Sequence, residues 1–121
     1  KGYHLDTFFT PVLDSQNLLC ATIVCDEILT SKSRKDLYEF SKKRNLPIFK
    51  VPLKDSIGTL ENIGSFSVNA LPLPGVLISP NHFTDKSIDR SLSELGIKRV
   101  ITPTSQFELS GGSIHCITNE L

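Results

Sequence analysis

Two short segments carry the residues best suited to chemistry. Near the beginning of the chain, His4 and Asp6 are two positions apart within the sequence His-Leu-Asp-Thr-Phe-Phe. Near its end, Cys116 follows Gly111 and Gly112 within Gly-Gly-Ser-Ile-His-Cys-Ile-Thr. An imidazole can transfer protons at physiological pH, a carboxylate can orient that imidazole or bind a cation, and a thiolate is a strong nucleophile. Together these residue types indicate a cysteine active site.

The first segment is predicted to lie on a strand. Residues 3–10 alternate apolar and polar side chains, so His4 and Asp6 are expected on the same face, roughly 6–7 Å apart along the strand. An edge strand with polar residues facing water has the same pattern. The pair alone therefore leaves both interpretations open.

The second segment is predicted to enter a further strand over residues 113–118. The two glycines before it allow a positive φ or a close approach of the backbone to a ligand. On such a strand His115 faces away from Cys116 and does not act as its base. A turn followed by a strand whose cysteine only packs in the core is the structural alternative.

Composition excludes several function classes. The 121 residues include 39% apolar residues, which is enough for one domain with a packed core. Thirteen basic and thirteen acidic residues cancel, so charge favours neither nucleic acid nor an anionic membrane as a partner. No apolar run approaches the roughly 18–20 residues of a membrane span, and we predict a cytoplasmic protein.

The cysteine pattern disfavours a disulfide scaffold and a metal site. Three cysteines cannot all pair internally, and their spacing matches no zinc or thioredoxin pattern. Cys20 and Cys25 lie in an apolar run and are predicted to be small core residues. We therefore predict no metal and no cofactor.

The chain has no methionine and opens at Lys1, which we interpret as an excised or processed piece.

A repeated order of strand, strand, helix, strand places the chain among α/β proteins. The first unit is predicted to have strands at 3–10, 18–25 and 48–53 and a helix at 34–44, and the second to have strands at 66–71, 75–78 and 98–101 and a helix at 86–95. A basic run at residues 32–44 is interpreted as the solvated face of the first helix and not as a phosphate site.

Taken jointly, the two segments resemble the signature segments of the guanidino-group-modifying enzymes of the pentein superfamily. This superfamily includes arginine and agmatine deiminases, dimethylarginine dimethylaminohydrolases and amidinotransferases. The ending Ile-His-Cys-Ile-Thr is most similar to agmatine-deiminase-like sequences, and His-Leu-Asp-Thr is more similar to arginine deiminases. The resemblance implies a five-bladed α/β propeller. Residues 1–121 match only the last two or so ββαβ modules, an incomplete ring that forms the C-terminal part of a single catalytic domain without its N-terminal modules.

The resemblance also implies roles for three residues. Cys116 is the implied nucleophile, His4 the general acid and base, and Asp6 a carboxylate that binds the guanidinium of arginine or a related compound. Attack by the thiol leaves a covalent amidino-thioether, and water then releases a ureido product. An amine in place of that water would make the enzyme an amidinotransferase.

The resemblance implies two partners and one alternative function. The partners are a small guanidino substrate and the N-terminal portion of the same protein, which supplies further carboxylates, so that the chain alone is expected to be inactive. The alternative is a non-catalytic binding module on the same fold, as in a ribosome anti-association factor. Such a module has no reason to keep a thiol, an imidazole and a carboxylate together.

Overall fold

The computed structural model describes residues 4–118 of the chain, and the first half of these residues forms a three-stranded sheet. The strands of this sheet are β1 (Phe9–Leu13), β2 (Leu19–Val24) and β3 (Ile48–Lys50), and helix α1 (Ser31–Arg44) connects β2 to β3. The sheet order is β1-β2-β3, with β1 antiparallel and β3 parallel to β2. This is one ββαβ unit.

A second sheet repeats the same arrangement. Its strands are β4 (Leu71–Leu73), β5 (Val76–Ser79) and β6 (Lys98–Ile101), and helix α2 (Lys86–Glu94) connects β5 to β6. The order is β4-β5-β6, with β4 antiparallel and β6 parallel to β5. The predicted α/β repeat is therefore confirmed.

Capping residues set the bounds of the two helices. α1 begins at Ser31, earlier than predicted, because the Thr30 side chain accepts the backbone N–H of Ser33 at 3.1 Å. It ends before Asn45, whose φ of 52° is left-handed. The predicted range of α2 is confirmed to within one residue, since the Asp85 side chain caps its first turn.

Four predicted strands are wrong in part or in full. The strand predicted at 48–53 ends at Lys50, and Leu53–Asp55 forms a short 3₁₀ turn instead. Residues Leu5–Thr7 form a 3₁₀ turn, called here the N-terminal turn, and the first strand begins only at Phe9. Residue 3, where that strand was predicted to begin, lies outside the described residues. Residues 66–70 are buried but irregular, with a φ of 52° at Phe66. Residues His115–Ile117 form another 3₁₀ turn, called here the cysteine turn, in place of a strand.

One apolar core joins the two units. Val12 and Ile23 from the first sheet lie in the same buried cluster as Leu77 and Leu92 from the second unit. Cys25 is fully buried in this cluster, and partly buried Cys20 packs against it, which confirms the predicted structural character of both thiols. Among the helices of residues 4–118, none combines the length and apolar character needed to cross a membrane.

Candidate active site

The N-terminal turn and the cysteine turn meet, and this contact brings Cys116 to Asp6. The thiol of Cys116 donates to Asp6 Oδ2 at 3.2 Å, although the two residues are 110 positions apart in the chain. Cys116 is exposed as a residue, and its sulfur is partly enclosed by Asp6, Asn69 and Gly112. Two of the three predicted site residues therefore form one accessible site.

His115 also belongs to this site, which corrects the expectation that it faces away from the cysteine. Its Nδ1 lies 3.0 Å from Asp6 Oδ2, the same oxygen that accepts from Cys116. The expectation assumed a strand, in which neighbouring side chains point to opposite faces. In a 3₁₀ turn neighbours are about 120° apart, so both side chains reach one carboxylate.

His4 is placed next to the N-terminal turn and makes no hydrogen bond to the thiol among the described residues. It precedes the turn in an extended conformation, and its carbonyl accepts the backbone N–H and the hydroxyl of Thr7. Its side chain is exposed and does not cap the turn. Within residues 4–118, no hydrogen bond joins its imidazole to Cys116 or Asp6. The predicted shared strand face is wrong, because the chain turns at Leu5, and the general acid–base role stays a prediction.

Asn69 is a site residue that the sequence analysis missed. Its side chain is fully buried and its Nδ2 donates to Cys116 Sγ at 3.3 Å and to the Asp6 carbonyl at 3.1 Å. Its Oδ1 accepts the backbone N–H of Cys116 at 3.4 Å, and its carbonyl accepts that of His115 at 3.3 Å. One signal was present: a single amide between Val68 and Ala70 in an apolar segment requires buried hydrogen-bond partners.

The two glycines before the cysteine turn have distinct structural reasons. Gly111 has a φ of 86°, which favours glycine. A Cβ on Gly112 would lie 3.0 Å from Cys116 Cβ and 3.2 Å from its sulfur. The close backbone approach is thus to the thiol itself, and the backbone at Gly112 forms one wall of the site.

Ser113 anchors the loop that leads into the cysteine turn. It is fully buried, and its hydroxyl lies 2.6 Å from that of Thr104, the residue before helix α3 (Ser105–Glu108). The Thr104 hydroxyl also donates to the Glu108 carboxylate at 3.1 Å. These bonds hold the two ends of the segment from residue 104 to residue 113 together.

Electrostatics keep the proton on the sulfur in this state. Burial raises the pKa of the Cys116 thiol, and the Asp6 carboxylate raises it further, while hydrogen bonds from Ser113 and Asn69 oppose the shift. For Asp6, burial disfavours the charge, but hydrogen bonds to Cys116, His115 and Asn69 outweigh it and lower the pKa. At neutral pH the site therefore holds a thiol beside a carboxylate.

The other two thiols are less suited to reaction. Burial raises the pKa of Cys25 to about 11, and burial followed by the charge of Asp14 raises that of Cys20. Residues 4–118 hold no group of three or more His, Cys, Asp or Glu side chains arranged to bind a metal ion. The chemistry visible in the site is that of a thiol, a carboxylate and an imidazole.

Comparisons with known proteins were informative only at the level of structure. No protein-family model and no curated protein matches this sequence. A ternary complex of AgrE with ornithine and NAD+ superposes with a TM-score of 0.73 at 19% identity, over 94% of this chain and 14% of AgrE. Apo ArgZ, an arginine dihydrolase from the ornithine–ammonia cycle in cyanobacteria, superposes with a TM-score of 0.72 at 22% identity, over 94% of this chain and 15% of ArgZ.

The N-terminal domain of ArgZ, bound to product, is also similar, with a TM-score of 0.69 and 23% identity over 94% of this chain. The chain spans 36% of that domain. TM-scores of 0.69 to 0.73 at identities of 19–23% show a shared fold. The chain therefore folds as part of a pentein-type α/β propeller, with two ββαβ units of an incomplete ring, as the two signature segments predicted.

Proposed function

We propose that this chain is part of a pentein-superfamily cysteine hydrolase that acts on the guanidinium group of arginine or a related compound. The observation that carries this proposal is the 3.2 Å contact between the Cys116 sulfur and the Asp6 carboxylate in an accessible site. A carboxylate beside a nucleophile suits a cationic electrophile, because it binds the charge next to the sulfur. The shared fold with ArgZ supports the proposal, since ArgZ is an arginine dihydrolase.

The proposed reaction begins when guanidinium N–H groups donate to Asp6 and displace the Cys116 thiol from that oxygen. The thiol gives its proton to His4, and the sulfur attacks the guanidinium carbon. His4 returns the proton to the departing ammonia or amine as the C–N bond breaks, which leaves an amidino-thioether. Water then gives a proton to His4 and attacks the same carbon. The C–S bond breaks as His4 returns its proton to the sulfur, and the ureido product leaves after its oxygen gives the second water proton to the solvent.

Product analysis of the complete protein tests this function. We expect a ureido product from arginine, agmatine or dimethylarginine, and a loss of at least about a thousandfold in Cys116→Ser, because the nucleophile is removed. Cys20→Ser is the matched control, since Cys20 packs against the core. An amidino product formed only with an added amine would assign a transferase. No turnover of any of these substrates would favour the non-catalytic binding module and refute the proposal.

The remainder of the domain is the second proposed partner. The chain spans 36% of the ArgZ domain that it matches, and we propose that residues 1–121 are the C-terminal part of one catalytic domain. The missing N-terminal portion would supply further carboxylates for the substrate and for His4. We expect the 121-residue chain alone to turn over at least about a hundredfold more slowly than the complete protein, because the substrate is poorly positioned. Equal turnover by both would contradict this part of the proposal.

A further inference from the structure

We propose that Asn69 is a positioning residue for the nucleophile: its amide fixes the orientation of Cys116 and stabilises the thiolate form through a hydrogen bond to sulfur. This inference rests on the proposed function of Cys116 as the attacking group. Its experiments need no turnover, so that the two proposals can fail separately.

The hydrogen bonds of Asn69 determine which way its amide points. The backbone N–H of Cys116 can only donate, and the carbonyl of Asp6 can only accept. Oδ1 therefore faces Cys116 N–H at 3.4 Å, and Nδ2 faces the Asp6 carbonyl at 3.1 Å. The second Nδ2 proton is then directed at Cys116 Sγ, 3.3 Å away. One side chain thus holds the backbone and the sulfur of the same cysteine.

The segment that carries Asn69 is buried and is held by hydrogen bonds to several other parts of the fold. Residues 66–70 are all buried. The Thr10 hydroxyl donates to the Val68 carbonyl, Val68 N–H donates to the Asp55 carbonyl, and the Ser67 hydroxyl donates to the His82 carbonyl. The left-handed φ of 52° at Phe66 shows that surrounding packing, and not local preference, determines this backbone.

This arrangement has a consequence for the step in which the substrate binds. A guanidinium on Asp6 takes the oxygen that accepts the thiol proton, and the sulfur then keeps the Asn69 N–H as a donor. A hydrogen bond to the charged form of a group favours that form. Asn69 therefore promotes loss of the Cys116 proton when a cation occupies the site. Removing this donor should raise the Cys116 pKa by about one unit, a tenfold change in the thiolate fraction near neutral pH.

The test is the rate of Cys116 alkylation by iodoacetamide as a function of pH, resolved by peptide mass spectrometry. Asn69→Asp keeps the size of the side chain and the oxygen that accepts Cys116 N–H, but it replaces the N–H donor to sulfur with a carboxylate oxygen. Asn69→Ala removes the same donor without adding charge. We expect both midpoints to rise by about one unit, more in the aspartate variant, with rates near pH 7 roughly tenfold lower. Ser67→Ala is the matched control, because Ser67 lies in the same buried segment as Asn69 but donates its hydroxyl hydrogen bond to the His82 carbonyl and not to the thiol.

Three outcomes overturn the inference. The first is an unchanged midpoint in folded Asn69→Ala with a raised one in Asn69→Asp, which would assign the effect to the added charge. The second is an equal shift in Ser67→Ala, which would assign it to general loosening of the segment. The third applies even if neither Asn69 variant folds: in the unmodified protein, the NMR signals of the Asn69 side-chain amide fail to titrate with the Cys116 thiol. We expect them to titrate, and to stop doing so in Cys116→Ser.

Discussion

At the residue scale, the charge of Asp6 acts on Cys116 in two opposite ways. The Asp6 carboxylate accepts a hydrogen bond from the Cys116 thiol, and burial together with this carboxylate raises the pKa of the thiol. It is also the group that binds a cation in the proposed reaction. The raised pKa therefore leaves little thiolate at neutral pH to react with neutral electrophiles, and in the proposed reaction a cation on Asp6 removes that restraint. In the proposed reaction, Cys116 is therefore selective for a cationic substrate without being permanently ionised.

Substitution of Asp6 by asparagine separates these two effects. Because one cause of the raised Cys116 pKa is removed, the pKa falls, and we expect alkylation by neutral iodoacetamide near pH 7 to become about three- to tenfold faster. Turnover of a guanidino substrate by the complete protein should be lost. Asp14→Asn is the control, since Asp14 raises the pKa of Cys20 instead. Slower alkylation of Cys116 in Asp6→Asn would contradict the assigned protonation state.

At the scale of elements, the site depends on two 3₁₀ turns that meet across the fold. In the cysteine turn, the side chain of Asn69 accepts the backbone N–H of Cys116, and the backbone of Gly112 lies close to the Cys116 side chain. Because Gly112 lies this close to Cys116, there is little room for added volume, and the position of the sulfur is sensitive to small changes at these neighbours.

Gly112→Ala tests this sensitivity. The new Cβ would lie 3.0 Å from Cys116 Cβ, so the cysteine turn must shift, and we expect a loss of about 1–3 kcal/mol in stability with altered Cys116 alkylation. Gly96→Ala is a suitable control, because its φ of 78° is strained for alanine but no atom lies within 4 Å of the new Cβ. Denaturant unfolding and peptide-resolved alkylation measure both effects. If Gly96→Ala changed Cys116 reactivity as much as Gly112→Ala, steric control of the sulfur would be excluded.

The repeating elements were predictable from sequence because their signals are local. Leu92 and Ile88 recur at helical spacing in α2, and apolar β-branched residues mark β2. The two turns at the site were not predictable in the same way. Short alternating sequences around Asp6 and Cys116 match a strand over a few residues, whereas 3₁₀ turns have no long period to detect.

The site itself was predictable only in part. Cys116 and Asp6 were found because their residue types carry the chemistry and because both segments resemble known signatures. Asn69 acts through contacts with residues 47 and 63 positions away, and a sequence pattern contains no such distances. The orientation of His115 depends on the 3₁₀ turn at His115–Ile117. Because a strand was predicted there, the predicted orientation of His115 was wrong.

At the scale of the whole molecule, the described residues form one buried core and two units of an incomplete ring. Its two sheets share one buried cluster. The chain nevertheless covers only 36% of the ArgZ N-terminal domain. In the proposed function, the described residues supply the nucleophile, its positioning amide and one carboxylate, and the remaining modules enclose the substrate. We therefore expect Asp6 and Cys116 to recognise a small cationic amidine that lacks the other groups of the substrate.

The most direct test compares the alkylation of Cys116 in the complete protein by 2-chloroacetamidine and by 2-chloroacetamide, two reagents of similar size that differ in charge. We predict that Cys116 reacts at least about tenfold faster with the amidine, because the cation binds Asp6 and releases the thiol proton. Cys20 should show no such preference, and Asp6→Asn should abolish it at Cys116. Equal rates of the two reagents at Cys116 would contradict the proposed guanidinium site.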